Sequence, residues 1–350
     1  MRITQNMITR NYLNSINFSQ ENMAKVNQRV SSSRRYTRIS ENLADGARAL
    51  RVRKQLADIR QQKADARDAK GLLSSAESNL RAINDVLVTA HEKALRGENG
   101  PMESVREEVA KEIDNLKEQV LQFMNTQYAG KFVMGGVNNK EAPYKVDKDG
   151  VLRYNGVDIN SIESVNGEYQ YTDENGDVQT IPYDKDVYID LGLGLSYSDG
   201  GQIDPRSAFK VSFNGLDVLG FGYETVTLED GSTHDIPNNV YNLMDKIGDM
   251  FSGDEPYNDE LMGVMVDKLE KERESMFLSI TEIGNRDRFL DTVVERLDSD
   301  ELVLTETRSD LEGVKDTEEA IRMSMYEYSW LATLRMGAKL LPQSLMDYLN

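Results

Sequence analysis

An apolar residue recurs at every seventh position from residue 52 to residue 94. Proline is absent from this stretch, its only glycine is Gly71, and polar side chains fill most positions between. Such a repeat over about six heptads predicts a long helix packed along a second helix. Running from about residue 42 to 97, with Ser40 as candidate N-cap, the helix would be roughly 80 Å long. The seven positions are Val52, Ile59, Ala66, Leu73, Leu80, Leu87 and Ala94.

A matching repeat lies near the other end of the chain. Arg273 and Asp287 interrupt its companion positions, which is typical of a bundle with more than two helices. A third, shorter helix is predicted between the turn at residues 97–101 and Gly130, and the short turn favours antiparallel packing. The heptad positions of the second repeat are Met262, Leu269, Met276, Ile283, Leu290, Leu297, Leu304 and Leu311.

Both termini carry apolar stripes at helical spacing. The first stripe lies in a segment rich in asparagine, and Pro342 interrupts the second. Helices of this kind are marginal alone and need a partner. We predict that these stripes form an assembly interface, made of Ile8, Tyr12, Ile16, Met23, Val26, Val30, Ile321, Met325, Tyr328, Leu331, Leu334, Ala338, Leu341, Leu345 and Leu349.

The character of the sequence changes between residues 131 and 257. Turn pairs such as Asn155-Gly156 and Asp230-Gly231 recur, and short runs of alternating polarity lie between them. This pattern predicts hairpins, with strands at 151–154, 168–171, 187–190 and 209–213 and a closing helix at 239–250.

The predicted fold is therefore mainly α with an inserted β-rich domain. Long antiparallel heptad helices from both termini form a bundle, and the terminal helices pair on assembly. We predict three parts: terminal assembly segments (1–40 and 315–350, disordered in the monomer), a helical bundle (41–130 and 257–314) and an outer hairpin domain (131–256).

The charge of the chain is unevenly distributed. The net charge is −19, yet residues 1–70 carry +9 and residues 131–257 carry −14. The overall sign argues against general nucleic-acid binding. A basic arm at residues 29–38 leaves that role open, but basic and acidic faces that meet in a self-assembling protein explain the pattern better.

The sequence predicts neither a membrane partner nor a cleaved export signal. No apolar run approaches 18 residues, and residues 1–9 lack an apolar core and a cleavage site. The chain has no cysteine, so thiol chemistry and disulfides are excluded.

No pattern in the sequence points to catalytic, cofactor-binding or metal-binding residues. The two histidines, His91 and His234, lack further ligands nearby. Two segments, 147–150 and 173–177, superficially resemble calcium loops, but their spacing fits hairpin turns better. We therefore predict that the chain is not an enzyme and uses no cofactor.

Several segments resemble the flagellin superfamily. Residues 1–7 (MRITQNM), 26–33 (VNQRVSSS) and 40–49 resemble its N-terminal region, and 283–290, 331–334 and 342–349 resemble its C-terminal region. Within the superfamily, residues 128–136 (YAGKFVMGG), Pro143-Tyr144 and 154–156 (YNG) are similar to the hook-associated proteins of the hook–filament junction.

This resemblance implies an extracellular structural protein of the bacterial flagellum, exported without a cleaved signal peptide. The implied partners are the first hook-associated protein, flagellin, further copies of the chain in a helical ring, and a cytoplasmic export chaperone on the C-terminal segment. Two alternatives stay open: a flagellin subunit of the filament itself, and a flagellin-like scaffold that carries an enzymatic or binding insertion.

Overall fold

The computed structural model describes residues 5–36, 38–99, 103–138, 140–148, 150–165, 168–173, 176–183, 185–198, 203–204 and 207–340. Helices account for most of them: α1 (Gln5–Ser32), α2 (Leu43–Glu98), α3 (Glu103–Met124), α4 (Leu216–Leu219), α5 (Val240–Ser252), α6 (Asp259–Glu312) and α7 (Asp316–Leu340). Two single turns of 3-10 helix lie at Ile39–Glu41 and Ile159–Ser161.

Short strands between α3 and α5 form five small antiparallel sheets in this described part. Their order is β1-β2, β3-β4-β5, β6-β7-β8, β9-β10 and β11-β12. The strands are β1 (Gln127–Tyr128), β2 (Lys131–Phe132), β3 (Tyr144–Val146), β4 (Leu152–Tyr154), β5 (Val157–Asp158), β6 (Ile162–Val165), β7 (Glu168–Thr172), β8 (Val178–Thr180), β9 (Tyr188–Ile189), β10 (Phe209–Lys210), β11 (Tyr223–Thr227) and β12 (Thr233–Pro237). The predicted fold, mainly α with a β-rich insertion, is confirmed.

The predicted heptad repeats coincide with the buried faces of α2 and α6. Along α2, Ile59 is half-buried and the other six repeat positions are buried, while along α6 the repeat is buried as far as Leu297. Leu304 and Leu311, near the end of α6, are half-buried. The N-cap of α2 differs from the prediction, because Asn42 Oδ1, and not Ser40, accepts the backbone N–H of Asp45 at 3.2 Å.

The chain divides into two compact units. One is Met1–Arg60 with Asp298–Asn350, and the other is Gln61–Leu297. We call them the terminal unit and the central unit. The helices α2 and α6 contribute residues to both. The sequence-based division into three parts stays a prediction.

In the central unit, α5 packs against α3. Asn239 caps α5, and the helix ends at Gly253, whose φ of +89° is left-handed. The ring of Phe251 lies against Gly97, where a Cβ would approach it to 2.7 Å. The cap and the glycine fix the two ends of α5, and the Phe251–Gly97 contact fixes its packing. Together they position the hairpin β11–β12, which directly precedes α5 in the chain.

The two loops that resemble calcium sites are hairpin turns, as predicted. Asp147 O accepts the backbone N–H of Gly150 at 3.2 Å, and Asp173 O accepts that of Gly176 at 3.0 Å. These turns join β3 to β4 and β7 to β8. The β3–β4 pair places Tyr144 opposite Tyr154, with ring centroids 5.0 Å apart.

Candidate assembly surface

The terminal unit is built on the pair α1–α7. Tyr12, Ile16 and Met23 are half-buried on α1 and Val26 is buried there, as the predicted stripe requires for packing along a partner helix. The partner face of α7 is different from its predicted stripe. Apart from the half-buried Ala332 and Thr333, its buried and half-buried positions follow a 3/4 spacing at Glu319, Met323, Tyr326, Trp330 and Gly337.

Two contacts hold this pair together. The ring of Tyr12 lies against Gly337, where a Cβ would come within 2.1 Å of a ring carbon. At the other end of the pair, the buried carboxylate of Glu319 accepts hydrogen bonds from Arg29 at 3.4 Å and from Arg322 at 2.8 Å. A buried carboxylate needs such cations, because desolvation of an unpaired charge costs several kcal/mol (about 3–5 when a partner is lost).

The segment after α1 contacts the break between α6 and α7. The backbone N–H of Arg35 donates to Glu312 O at 2.7 Å, and Arg34 forms an isolated β-bridge with Gly313. The Glu312 side chain accepts from Arg53 at 2.6 Å. Burial, followed by the negative charge of Glu312, raises the pKa of the Tyr36 hydroxyl. These contacts connect α1, α2, α6 and α7 within the terminal unit.

The terminal unit exposes many large apolar side chains. Five residues of the predicted interface on α7 are exposed: Ile321, Met325, Tyr328, Leu331 and Leu334. Val30 on α1 is exposed as well. The helix α7 is therefore apolar on two faces, one against α1 and one in solvent, which is typical of a helix that gains a second partner.

Sequence reasoning missed other exposed apolar residues of this unit. Leu13 and Phe18 on α1 fall outside the helical stripe, so periodicity could not identify them. The sequence feature that could have identified them is the presence of apolar residues on both sides of this asparagine-rich helix. The missed residues are Met7, Leu13, Phe18, Leu43, Leu50, Leu302, Val303 and Met336.

Five predicted interface positions are not placed by the structure. The side chains of Ile8 and Ala338, and all of Leu341, Leu345 and Leu349, lie outside the described residues. Their membership of the interface stays a prediction, as it does for the other predicted residues.

Metal-ligating side chains do not cluster among the described residues. Within the described ranges, no group of three or more histidine, cysteine, aspartate or glutamate residues could hold a metal ion. His91 lies 3.8 Å from Glu270, and His234 Nε2 lies 3.2 Å from Ser232 Oγ. None of the helices in this part of the chain has the length and apolar character that crossing a membrane requires.

The N-terminal part of the chain is similar to known proteins. Residues 3–139 match the bacterial flagellin N-terminal helical region. A flagellin of Clostridium tyrobutyricum is 24% identical over 127 residues, which is 36% of this chain and 34% of that protein. The chain thus spans about a third of the curated relative that it matches. Residues 3–139 are thus flagellin-like in sequence.

Solved structures extend the comparison to the fold. A putative flagellar hook-associated protein from Vibrio parahaemolyticus matches with a TM-score of 0.54 and 16% identity, over 78% of this chain and 100% of the other. The flagellar hook associated protein-3 of Legionella pneumophila matches over 74% of this chain and 98% of its own, with 11% identity and a TM-score of 0.48. Over 78% of its length, the fold of this chain is therefore similar to that of the Vibrio parahaemolyticus protein.

Proposed function

We propose that this chain is a structural subunit of the bacterial flagellum that joins the hook to the filament. In this role it contacts the first hook-associated protein on one side and flagellin on the other, and it packs against copies of itself in a ring. The proposal assigns no catalytic step and no cofactor to the chain.

The observation that carries this proposal is the second apolar face of α7. Ile321, Met325 and Tyr328 follow each other at spacings of four and three residues, so they lie on one side of the helix. All three are exposed, although α7 already packs along α1. Large apolar surface in contact with water favours association, at about 25 cal/mol per Å² buried.

A neighbouring subunit is the partner that fits best. The face lies on a helix, so a further helix at the usual distance of about 8–10 Å would cover it. Copies of the α1–α7 pair supply such helices, each with exposed apolar residues of its own, such as Leu13 and Phe18. That both ends of the chain are disordered before assembly stays a prediction, since α1 and α7 pack together within the terminal unit.

The proposal also includes the route of export. The chain leaves the cell without a cleaved signal peptide, and a chaperone covers its C-terminal segment until export. A helix with two apolar faces would aggregate if it were exposed at high concentration in the cytoplasm. A chaperone on residues 315–350 would remove that hazard before assembly.

The filament subunit is the second candidate. The flagellin match over residues 3–139 favours it, because that region is common to filament proteins by its description. The fold match to a hook-associated protein over 78% of the chain favours the junction.

Immunogold labelling of intact flagella distinguishes these roles. An antibody against residues 131–257 is applied to wild-type cells and to cells that lack the gene. We expect label at one position, where the hook meets the filament. Label along the whole filament would assign the chain to the filament, and flagella without label would refute both roles.

A further inference from the structure

The central unit contains a buried lysine that the proposed assembly does not use. Lys268 lies on α6, and its side chain is only 7% exposed. Its Nζ donates a hydrogen bond to Asn238 Oδ1 at 2.6 Å and another to Glu224 Oε2. Asn238 follows β12 and Glu224 belongs to β11, so one amine connects the helix to both arms of the hairpin.

The carboxamide of Asn238 is held in place from several sides. Its Nδ2 donates to Phe221 O at 3.1 Å, which fixes the orientation of the amide. Its backbone N–H donates to Gly222 O at 3.0 Å. The backbone carbonyl of Asn238 lies against Gly220, where a Cβ would come within 2.2 Å of the oxygen. The amine thus faces a carboxamide whose position is set by the surrounding backbone.

A second carboxyl group lies next to the amine. Glu272 follows Lys268 by one helical turn on α6, and the two side chains share a face. Burial, and then the negative charge of Glu224, raise the pKa of Glu272, while the charge of Lys268 opposes them. In contrast, the hydrogen bond and charge of Lys268 lower the pKa of Glu224. Because Glu224 Oε2 accepts a hydrogen bond directly from Nζ, Glu224 is the carboxylate placed to take a proton from the amine.

From this arrangement we infer that Lys268 and Asn238 form an intramolecular amide cross-link in the folded chain. The amine nitrogen Nζ attacks Cγ of Asn238. The Nζ–Cγ bond forms and the Cγ–Nδ2 bond breaks. Two protons leave Nζ in all, the first through Glu224, and the departing Nδ2 takes up both and leaves as ammonium. Atoms and charge balance without an oxidant or a co-reactant.

Proximity makes this slow reaction feasible. Amines attack carbonyl carbons in covalent catalysis, and a positioned amine reacts with an effective molarity of about 10⁵–10⁸ M. Glu224 supplies a general base within hydrogen-bonding distance of the nucleophile. The cross-link would fasten β11–β12 to α6 in a chain that has no cysteine for a disulfide.

The test is the mass of the purified full-length chain and of its tryptic peptides. We expect the folded protein to be lighter than its sequence by one ammonia. We also expect a branched peptide that joins the segments around residues 238 and 268, because trypsin cannot cleave after an acylated lysine. A protein with the unmodified mass overturns the inference.

Two variants distinguish the cross-link from other changes. Lys268→Arg keeps the charge and the hydrogen-bond donors but has no nucleophilic amine, so we expect the full mass and no branched peptide. The control is Lys246→Arg, because Lys246 lies near the same hairpin but donates to a backbone carbonyl, Asp235 O, at 2.7 Å. This variant should keep the cross-link. Loss of ammonia that persists in Lys268→Arg would assign it to ring closure at Asn238 itself and would overturn the inference.

Glu224→Gln tests the base. The amide oxygen still accepts a hydrogen bond from Nζ but cannot take its proton. When chain that was isolated unfolded, and is therefore still unlinked, is refolded, we expect the cross-link to form roughly a hundredfold more slowly than in the wild type, within the usual contribution of a general base. Formation at the wild-type rate would refute the role of Glu224.

Discussion

Replacement of Tyr328 by serine tests whether the exposed face of α7 is an interface. Tyr328 is 78% exposed, so almost its whole side chain is available for burial by a neighbour. Full burial of a tyrosine removes about 150–250 Å² from water, and 78% of this is roughly 120–200 Å². If a neighbouring subunit covers half of that area, the contact contributes about 1.5–2.5 kcal/mol per subunit at ~25 cal/mol per Å².

This magnitude predicts a large loss of assembly with little loss of folding. A change of about 1.5–2.5 kcal/mol weakens each subunit contact roughly 10- to 70-fold. In cells that express only Tyr328→Ser, we expect the chain in the medium and not on isolated flagella, as measured by quantitative immunoblotting of both fractions. The matched control is Tyr197→Ser in the central unit, where Tyr197 is 63% exposed. This variant should be retained on flagella.

Three results would contradict the argument. Retention of Tyr328→Ser at the wild-type level would show that the face is not an interface. Equal loss of both variants would show that any exposed tyrosine matters. Accumulation of Tyr328→Ser inside the cell would place its effect in export and not in assembly.

The remaining predictions concern the stability of the central unit, measured as the midpoint of chemical denaturation. Asn239→Ala should lower the free energy of unfolding by about 2–4 kcal/mol, because Asn239 both caps α5 and donates hydrogen bonds to two backbone carbonyls. Asn258→Ala removes a helix cap alone and should lower it by about 1 kcal/mol. Equal losses in the two variants would refute this reasoning. Tyr154→Phe should lower the free energy of unfolding by about 1 kcal/mol, because the buried Tyr154 hydroxyl hydrogen-bonds to a backbone and a side-chain oxygen. Tyr144→Phe should leave the free energy of unfolding unchanged, because the buried Tyr144 hydroxyl has no hydrogen-bond partner among the described residues. Burial, and then the charges of nearby carboxylates, raise the pKa of Asp249 above its usual 3.8. The folded state therefore binds this proton more tightly than the unfolded state does, and the ionised side chain destabilises the fold increasingly as pH rises through the raised pKa. Asp249→Asn should raise the midpoint at pH 7 and leave it unchanged near pH 3; a gain of the same size at both pH values would contradict the assignment.

Local pattern predicted most of the architecture. The heptads of α2 and α6 identified the buried faces, because a 3/4 spacing of apolar residues has one low-energy arrangement in water, with that face covered. Hairpin turns at residues 147–151 and 173–177 followed from aspartate and glycine, whose backbone preferences act within a few residues. The resemblance to flagellins was also visible in the sequence, and the match over residues 3–139 agrees with it.

Tertiary packing decided what local pattern left open. On α7 the sequence offers two apolar faces, and only the pairing with α1 selects Met323, Tyr326 and Trp330 as the more buried one. The predicted stripe of Ile321, Met325 and Tyr328 is thereby left exposed. Apolar spacing indicates that a helix face is buried against a partner, but it does not identify that partner.

The same limit applies to polar groups. Nothing in the sequence pairs Lys268 with Glu224, 44 positions earlier, because the energy that brings them together comes from the burial of the surrounding apolar residues. The sequence by itself determined the helices, the hairpins and the apolar faces, since these depend on residues a few positions apart. Only the tertiary structure decided which face meets which neighbour and which charges are buried, since those contacts form between residues far apart in the chain.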